Sequence, residues 1–376
     1  MENKATGNLR MANLELLRCI AMMMVVVLHF LGKGEILGSL TEDQVDRTET
    51  AAWLIESFCI VAVNLYMLIS GYFLSASSFK LSRLLKLWLQ IWMYSAGIGL
   101  LAYVSGIYPS SEFGFHYLLT LMLPVSMGHY WFLTAYVFLY LMLPLFGRAI
   151  REMSKGQMQA VLALLLFSFC VLKSVLPARL EMDGQGYDVL WYLCVFLTAA
   201  YIRRFGWRFL EKKSHGLWLY LMAVLAIFCG TMILRRIYLS TGKFAYIIKI
   251  CLEYNHVLPL LAAVGLFGVF LKIKVSGRLA GIVNKVGPYT LGVYLLHENM
   301  GVRYVWPKWL GAFCVDSVGS LFLYTVAAVV SVFTVGILAD MLRDAVIKSL
   351  HKILSKWGIY RRITEKVLGV DAMFRT

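Results

Sequence analysis

Apolar runs of about twenty residues recur along the chain, separated by short stretches that hold most of its lysines and arginines. A bilayer core takes about 20 apolar residues per helix. Away from water, every backbone N–H and C=O in such a run must be satisfied within the helix. The pattern therefore predicts an all-α, polytopic membrane protein with about ten transmembrane helices. The spans read as 13–31, 51–74, 85–105, 130–149, 157–176, 187–202, 216–234, 256–272, 287–302 and 316–342. A further apolar piece, 115–127, holds Pro124 and is too short to cross, so a re-entrant or interfacial position is expected for it. The first run is long and is followed by no small-residue cleavage site, so it reads as a retained span rather than a leader.

Composition excludes the main alternatives. Only 15% of the 376 residues are charged and 60% are hydrophobic, too few polar groups to clothe a soluble chain of this length. The seven cysteines (Cys19, Cys59, Cys170, Cys194, Cys229, Cys251 and Cys314) lie almost all in apolar runs without metal-ligand spacing. They read as reduced packing residues, and no metal is expected. A net charge of +15 raises the question of nucleic acid, but no nucleic-acid-binding pattern accompanies it. With the N-terminus inside, 25 of the 36 basic residues fall in cytoplasmic segments and ten outside, with Arg18 within the first span. That bias places both termini in the cytoplasm. Its weakest section is 235–255, where Arg235, Arg236, Lys243 and Lys249 would face outward. The expected division is a membrane domain, 1–345, and a basic cytoplasmic tail, 346–376, suited to an interfacial helix among membrane lipids.

Ionisable groups inside a span cost about 2.5–3.5 kcal/mol each on insertion scales, so their positions bear on function. In the first span, Arg18 and His29 are eleven residues apart, three turns plus about 20°, and share one face about 16 Å apart along the axis. Glu15, three residues before Arg18, is in ion-pair range of it. Asn64 opens an otherwise apolar stretch, Asn64–Leu74, that contains Ser70 and Gly71; this pair suits either close helix packing or a helix end opened to a ligand. Lys80, Arg83 and Lys86 spread over one cationic helix face, either as a topology signal or as a site for anionic headgroups or a phosphorylated cofactor. His297 and Glu298 close the ninth span, while Glu56, Glu253 and Asp316 near span ends read as interfacial.

Together these pieces resemble the acyltransferase-3 family of integral membrane acyltransferases. The resemblance rests on Arg18 and His29 with an acid three before the arginine; on Ile69-Ser70-Gly71-Tyr72-Phe73-Leu74 followed by Lys80, Arg83 and Lys86; on His129-Tyr130-Trp131-Phe132-Leu133 with Pro144; and on Tyr289 to His297. It runs from about residue 11 to 345. Glu15 stands where Asp is usual, and Lys80 where Arg is common; lysine keeps the charge but lacks the bidentate grip of arginine. Some members carry an extra SGNH-type or racemase domain, for which 376 residues leave no room, so a stand-alone transferase is expected.

The resemblance implies transfer of an acyl group, often acetyl, from a cytoplasmic donor such as acetyl-CoA to a hydroxyl of a surface glycan or lipid-linked sugar, in a bacterial plasma membrane. The expected site has His29 as base or transient acyl carrier, with Arg18 and Glu15 as its partners. Arg83, Lys86 and Lys80, with Ser70 and Gly71, would hold the acyl-CoA, and His297, Trp131 and Asn64 the acceptor. Succinyl or another acyl donor stays open. A transporter or flippase-like binder for a small solute or lipid is the rival class, disfavoured because no repeated halves are visible.

Overall fold

The structure is a computed structural model that describes residues 11–42, 45–109, 114–176, 181 and 183–374. Lys4, Arg10 and Arg179, part of the charge bias, lie outside the described residues. The chain folds as α1 (Ala12–Lys33), α2 (Arg47–Cys59), α3 (Ala62–Leu74), α4 (Leu81–Val104), α5 (Phe115–Met122), α6 (Trp131–Glu152), α7 (Lys155–Leu166) and α8 (Leu172–Val175). Then come α9 (Val189–Phe205), α10 (Lys213–Thr241), α11 (Val257–Lys272), α12 (Gly277–Val286), α13 (Thr290–His297), α14 (Trp306–Trp309), α15 (Val318–Leu354) and α16 (Gly358–Met373). No strand occurs among the described residues.

Eight helical stretches among the described residues are long and apolar enough to cross a bilayer: 12–33, 47–74, 81–104, 131–152, 155–175, 213–241, 245–272 and 318–354. Two of the ten expected spans are not among them. The run at 187–202 becomes α9, whose 17 residues reach about 25 Å, short of a hydrocarbon core of about 30 Å. The run at 287–302 breaks after His297, because fully buried Asn299 turns the chain. Its Nδ2 donates to Tyr94 O and Tyr130 Oη at 3.0 Å, and its Oδ1 accepts from Gly301 N at 2.9 Å. The piece at 115–127 folds only as the eight-residue α5.

Helix α1 is the centre of the bundle, in contact with α2, α3, α11, α12, α13 and α15. Leu14, Leu17, Ala21, Val26, Phe30 and Leu31 are fully buried, as expected of a helix apolar on nearly every side. Helix starts follow local chemistry. Reciprocal capping boxes open α2 (Asp46 with Glu49), α7 (Ser154 with Gln157) and α15 (Ser317 with Ser320). Gly71 lets α3 meet α9, since a Cβ there would stand 2.9 Å from Phe196 Cα.

One end of the bundle is tied by basic side chains. Arg203 donates to Tyr72 O at the end of α3, and Arg204 to the Ile150 and Met153 carbonyls at the end of α6. These last-turn carbonyls have no partner within their own helices, and cations there also oppose the helix dipoles. At the same end, α16 packs on α4: Asp371 accepts from Ser82 N at 3.1 Å, and Phe374 meets Phe79 with centroids 5.1 Å apart. The helical break before this tail falls at 355–357, because α15 continues past residue 345.

Between α4, α13 and α15 a carboxylate is completely enclosed. Asp340 receives Arg343 Nε at 2.7 Å, Gln90 Nε2 at 2.9 Å and Tyr94 Oη at 3.1 Å. Removing one partner of such a pair leaves a buried charge uncompensated. Asp340→Ala should therefore destabilise the protein by about 3 kcal/mol. The check is the thermal unfolding midpoint of detergent-solubilised protein; an unchanged midpoint would show that the carboxylate does not hold these helices.

Candidate active site

The 3.6-residue period of α1 puts Met22, Val25 and His29 on one face, with Leu28 beside them, and that face lines a cavity. Val63 and Tyr66 from α3, Trp131 and Phe132 from α6, Tyr254, and Leu291 and Tyr294 from α13 complete its walls around a volume of about 50 Å³. The lining is aromatic and aliphatic, with an imidazole and phenol hydroxyls as its polar groups, the usual make-up of a small-molecule pocket.

Hydrogen bonding fixes the state of that imidazole. His297 Nδ1 is 2.5 Å from Val293 O, an atom that can only accept, so His297 Nδ1 carries a proton. In a neutral ring its Nε2 is then an acceptor. His29 Nδ1 lies 2.9 Å from that Nε2 and 3.2 Å from Glu298 Oε2, so it faces two acceptors and must donate. His29 Nε2 is left with its lone pair, on a side chain that lines the cavity. Glu298 is buried and is itself held by ion pairs to Lys33 and, at 3.7 Å, to Arg303. Tyr294 stands beside His29, ring centroids 6.5 Å apart, and its buried hydroxyl has no hydrogen-bond partner among the described residues.

Further along α1, Arg18 Nη1 donates to both carboxylate oxygens of Glu15, at 2.9 and 2.8 Å. Glu15 is buried against Gly287, where any Cβ would collide with the carboxylate. Tyr66 links the two regions: its hydroxyl donates to Arg18 O at 2.9 Å while its ring lines the His29 cavity. Tyr136 is within electrostatic reach of both Arg18 and Arg83, so the α4 cationic face approaches this end of α1. Arg83 and Lys86 are exposed, and Lys80 is half-buried with its backbone N and O bonded to Tyr140 Oη.

The fold thus brings together His29, His297 and Trp131 in one place and Glu15 with Arg18 in another. Asn64 is different. It is fully buried, its Nδ2 donating to Tyr254 O at 2.8 Å and its Oδ1 accepting from Trp191 Nε1 at 2.9 Å. Both functions of its amide are engaged in tying α3, α9 and the 254 segment together. Gly71 lies in the α3–α9 contact, with Ser70 half-buried beside it. Among the described residues no group of three or more His, Cys, Asp or Glu is placed to hold a metal ion.

Lys33, Arg303 and Tyr294 are site residues that sequence reasoning passed over, and Glu298 was noted without its partners. A signal existed for Lys33, which follows His29 by four residues and so shares its helix face. Arg303 had none, because only the turn at Asn299 brings it back to Glu298.

A helical bundle with eight stretches long and apolar enough to cross a membrane, presenting an oriented imidazole to a cavity, is the class of molecule that the fold and site define. The family model for Acyl_transf_3, an acyltransferase domain, matches residues 11–341, and the chain belongs to this acyltransferase-3 family. Neither a curated protein nor a solved structure matches the chain. The assignment removes the reason for a transporter reading.

Cavity access is testable without substrate. In a background with Cys229 and Cys314 replaced by serine, Leu28→Cys should react with a small methanethiosulfonate at least about ten-fold faster than Phe30→Cys, which lies on the closed side of α1. Equal rates would mean that the cavity admits no solute.

Proposed function

We propose that the protein is a multi-pass O-acyltransferase of the bacterial plasma membrane with both termini in the cytoplasm. It moves an acyl group, acetyl in the first instance, from a cytoplasmic acyl-CoA to a hydroxyl of a cell-surface glycan or lipid-linked sugar. The observation that carries this reading is the chain from Val293 O through His297 to His29, which leaves His29 Nε2 as a base in the cavity.

The step balances on that nitrogen. His29 Nε2 takes the hydroxyl proton as the acceptor oxygen attacks the thioester carbonyl. The C–S bond breaks, and the imidazolium returns the proton to the departing coenzyme A thiolate. The same lone pair serves if His29 attacks the thioester first and expels the coenzyme A thiolate; the hydroxyl then takes the acyl group from the ring and its proton passes to that thiolate. Glu298, 3.2 Å from Nδ1, offsets the positive charge that develops on the imidazole in either case. The Tyr294 hydroxyl is the donor we assign to the oxyanion.

Donor binding follows from charge. Coenzyme A phosphates meet Arg83, Lys86 and Lys80 at the basic end, with Arg18 oriented by Glu15. The pantetheine arm then lies along α1 past Tyr66, covering the rise of about 16 Å from Arg18 to His29. Trp131 belongs to the acceptor side of the cavity, whereas His297, with both ring nitrogens engaged, serves to position His29. The tail 346–376 lies on the inner leaflet, where Trp357, Ile359 and Ile363 are exposed beside Arg361 and Arg362.

Purified protein with labelled acetyl-CoA and envelope glycan tests the whole reading. His29→Ala should abolish transfer while retaining coenzyme A binding; substantial residual transfer would exclude both roles for this imidazole. Arg83→Gln should raise the KM for acetyl-CoA about ten-fold, the loss of one charge-assisted contact, with kcat little changed. Tyr294→Phe should instead lower kcat about 100-fold at constant KM, and an unchanged kcat would remove Tyr294 from the reaction.

A further inference from the structure

A second concavity lies on the same side of the bundle as His29, between α2, the 37–41 segment and the 245–253 segment. Its volume is about 440 Å³. Two tyrosine rings, Tyr187 and Tyr246, line it with about half their surface exposed. Deeper in the groove are Trp53, 3% exposed, and Glu56. The Trp53 indole N–H and the Glu56 Oε2 are both buried, and neither has a hydrogen-bond partner among the described residues. An enclosed donor and acceptor left unsatisfied in one groove destabilise it, and a polar ligand would relieve both.

The groove adjoins the reaction cavity across a cluster of aromatic rings in contact. Tyr187 lines the groove and packs on Trp131 at 4.4 Å and on Tyr254 at 5.0 Å between centroids. Trp131 and Tyr254 in turn line the His29 cavity. Exposed aromatic faces beside a fixed donor and fixed carboxylates are the chemistry that holds a sugar, with C–H faces against the rings and hydroxyls to the polar groups. Charge narrows the sugar. Lys249 stands over the Trp53 ring, 5.4 Å from its centroid, and is the counter-charge to Glu56. The other ammonium, Lys173, is already shared by Asp183 and Glu253. Along the groove itself the lining carries two acidic side chains, Glu56 and Glu253, and one ammonium, Lys249, which leaves no surplus cation for a phosphate or carboxylate.

We infer that this groove is the acceptor subsite, holding the non-reacting part of an uncharged saccharide, with Tyr187 and Tyr246 as platforms and Trp53 and Glu56 as hydrogen-bonding partners. Tyr187 marks the passage by which the reacting hydroxyl reaches His29. The inference rests on the acyltransferase reading above and narrows its acceptor to neutral sugars, setting aside anionic polymers.

The test compares cells producing the wild-type protein, Tyr187→Ala or Glu56→Ala, at matched membrane levels. Acylated envelope saccharides are quantified and sequenced by mass spectrometry, and coenzyme A affinity is measured on each purified protein. The expected result is a fall of at least about five-fold in acylated saccharide for both variants, coenzyme A affinity within about two-fold of wild type, and the acyl mass on a neutral sugar. Retained coenzyme A affinity also shows that each variant is folded. Wild-type acylation levels in Tyr187→Ala, which alters a half-exposed side chain, would overturn the subsite. An acyl mass on a phosphate-bearing or uronic residue would overturn the neutral-sugar inference. No acylated saccharide even with the wild-type protein would instead sink the glycan acyltransferase reading, and the subsite with it.

Discussion

A single hydrogen-bond sequence sets the chemistry of this bundle. The Val293 carbonyl can only accept, so it dictates the tautomer of His297, and His297 with Glu298 dictates the tautomer of His29. Without this relay the imidazole in the cavity would be free to present either nitrogen. The cost of placing Lys33, Glu298 and Arg303 around it is met by pairing them with one another. Glu298 alone contacts all three cationic or protonatable neighbours, so it works as the electrostatic keystone of the relay.

The geometry requires a broken helix. An uninterrupted span over 287–302 would carry Glu298 and Arg303 on around the helix axis, away from α1. Instead α13 ends at His297, and Asn299 supplies the hydrogen bonds that the interrupted backbone and its neighbours need. Irregular backbone at membrane depth is tolerated where protein surrounds it and where it lines a cavity. Here it delivers a carboxylate to Nδ1 of an imidazole on another helix. The two-span shortfall against the sequence reading has this origin in part: one apolar run is long enough by count but is spent on a turn that builds the site.

What could be read from the sequence was what depends on period and local charge. The shared face of Arg18 and His29 follows from an eleven-residue spacing, and the Glu15–Arg18 pair from a three-residue one. Long helices were legible because about twenty apolar residues admit few other fates. The 17-residue α9 sits at the lower limit for a crossing, where apolar length alone does not distinguish a core helix from a span. Asn64 shows the complementary limit. A lone amide in an apolar run looks available to a ligand, yet both of its functions bind Trp191 and Tyr254, residues 127 and 190 positions away. Contacts at that separation leave no local pattern. The same holds for Trp53 and Glu56, whose groove is completed by residues from 185 to 253.

The arrangement of charge along α1 gives the molecule a direction. The Arg18 end gathers cations that have few carboxylates to answer them, on α4 above all, and suits a polyanionic donor. The His29 end instead balances Lys33 and Arg303 on Glu298 and Lys173 on two carboxylates, and presents tyrosines where the groove opens. On the proposed function, a donor with several phosphates would be held at the first end by Coulomb attraction and would gain nothing at the second. A neutral sugar finds no advantage at the first and finds aromatic faces at the second. Between them run α1 and Tyr66, whose hydroxyl bonds the Arg18 carbonyl while its ring lines the His29 cavity. On the proposed function, a division of this kind would let an anionic donor and an uncharged acceptor reach one imidazole without competing for the same surface.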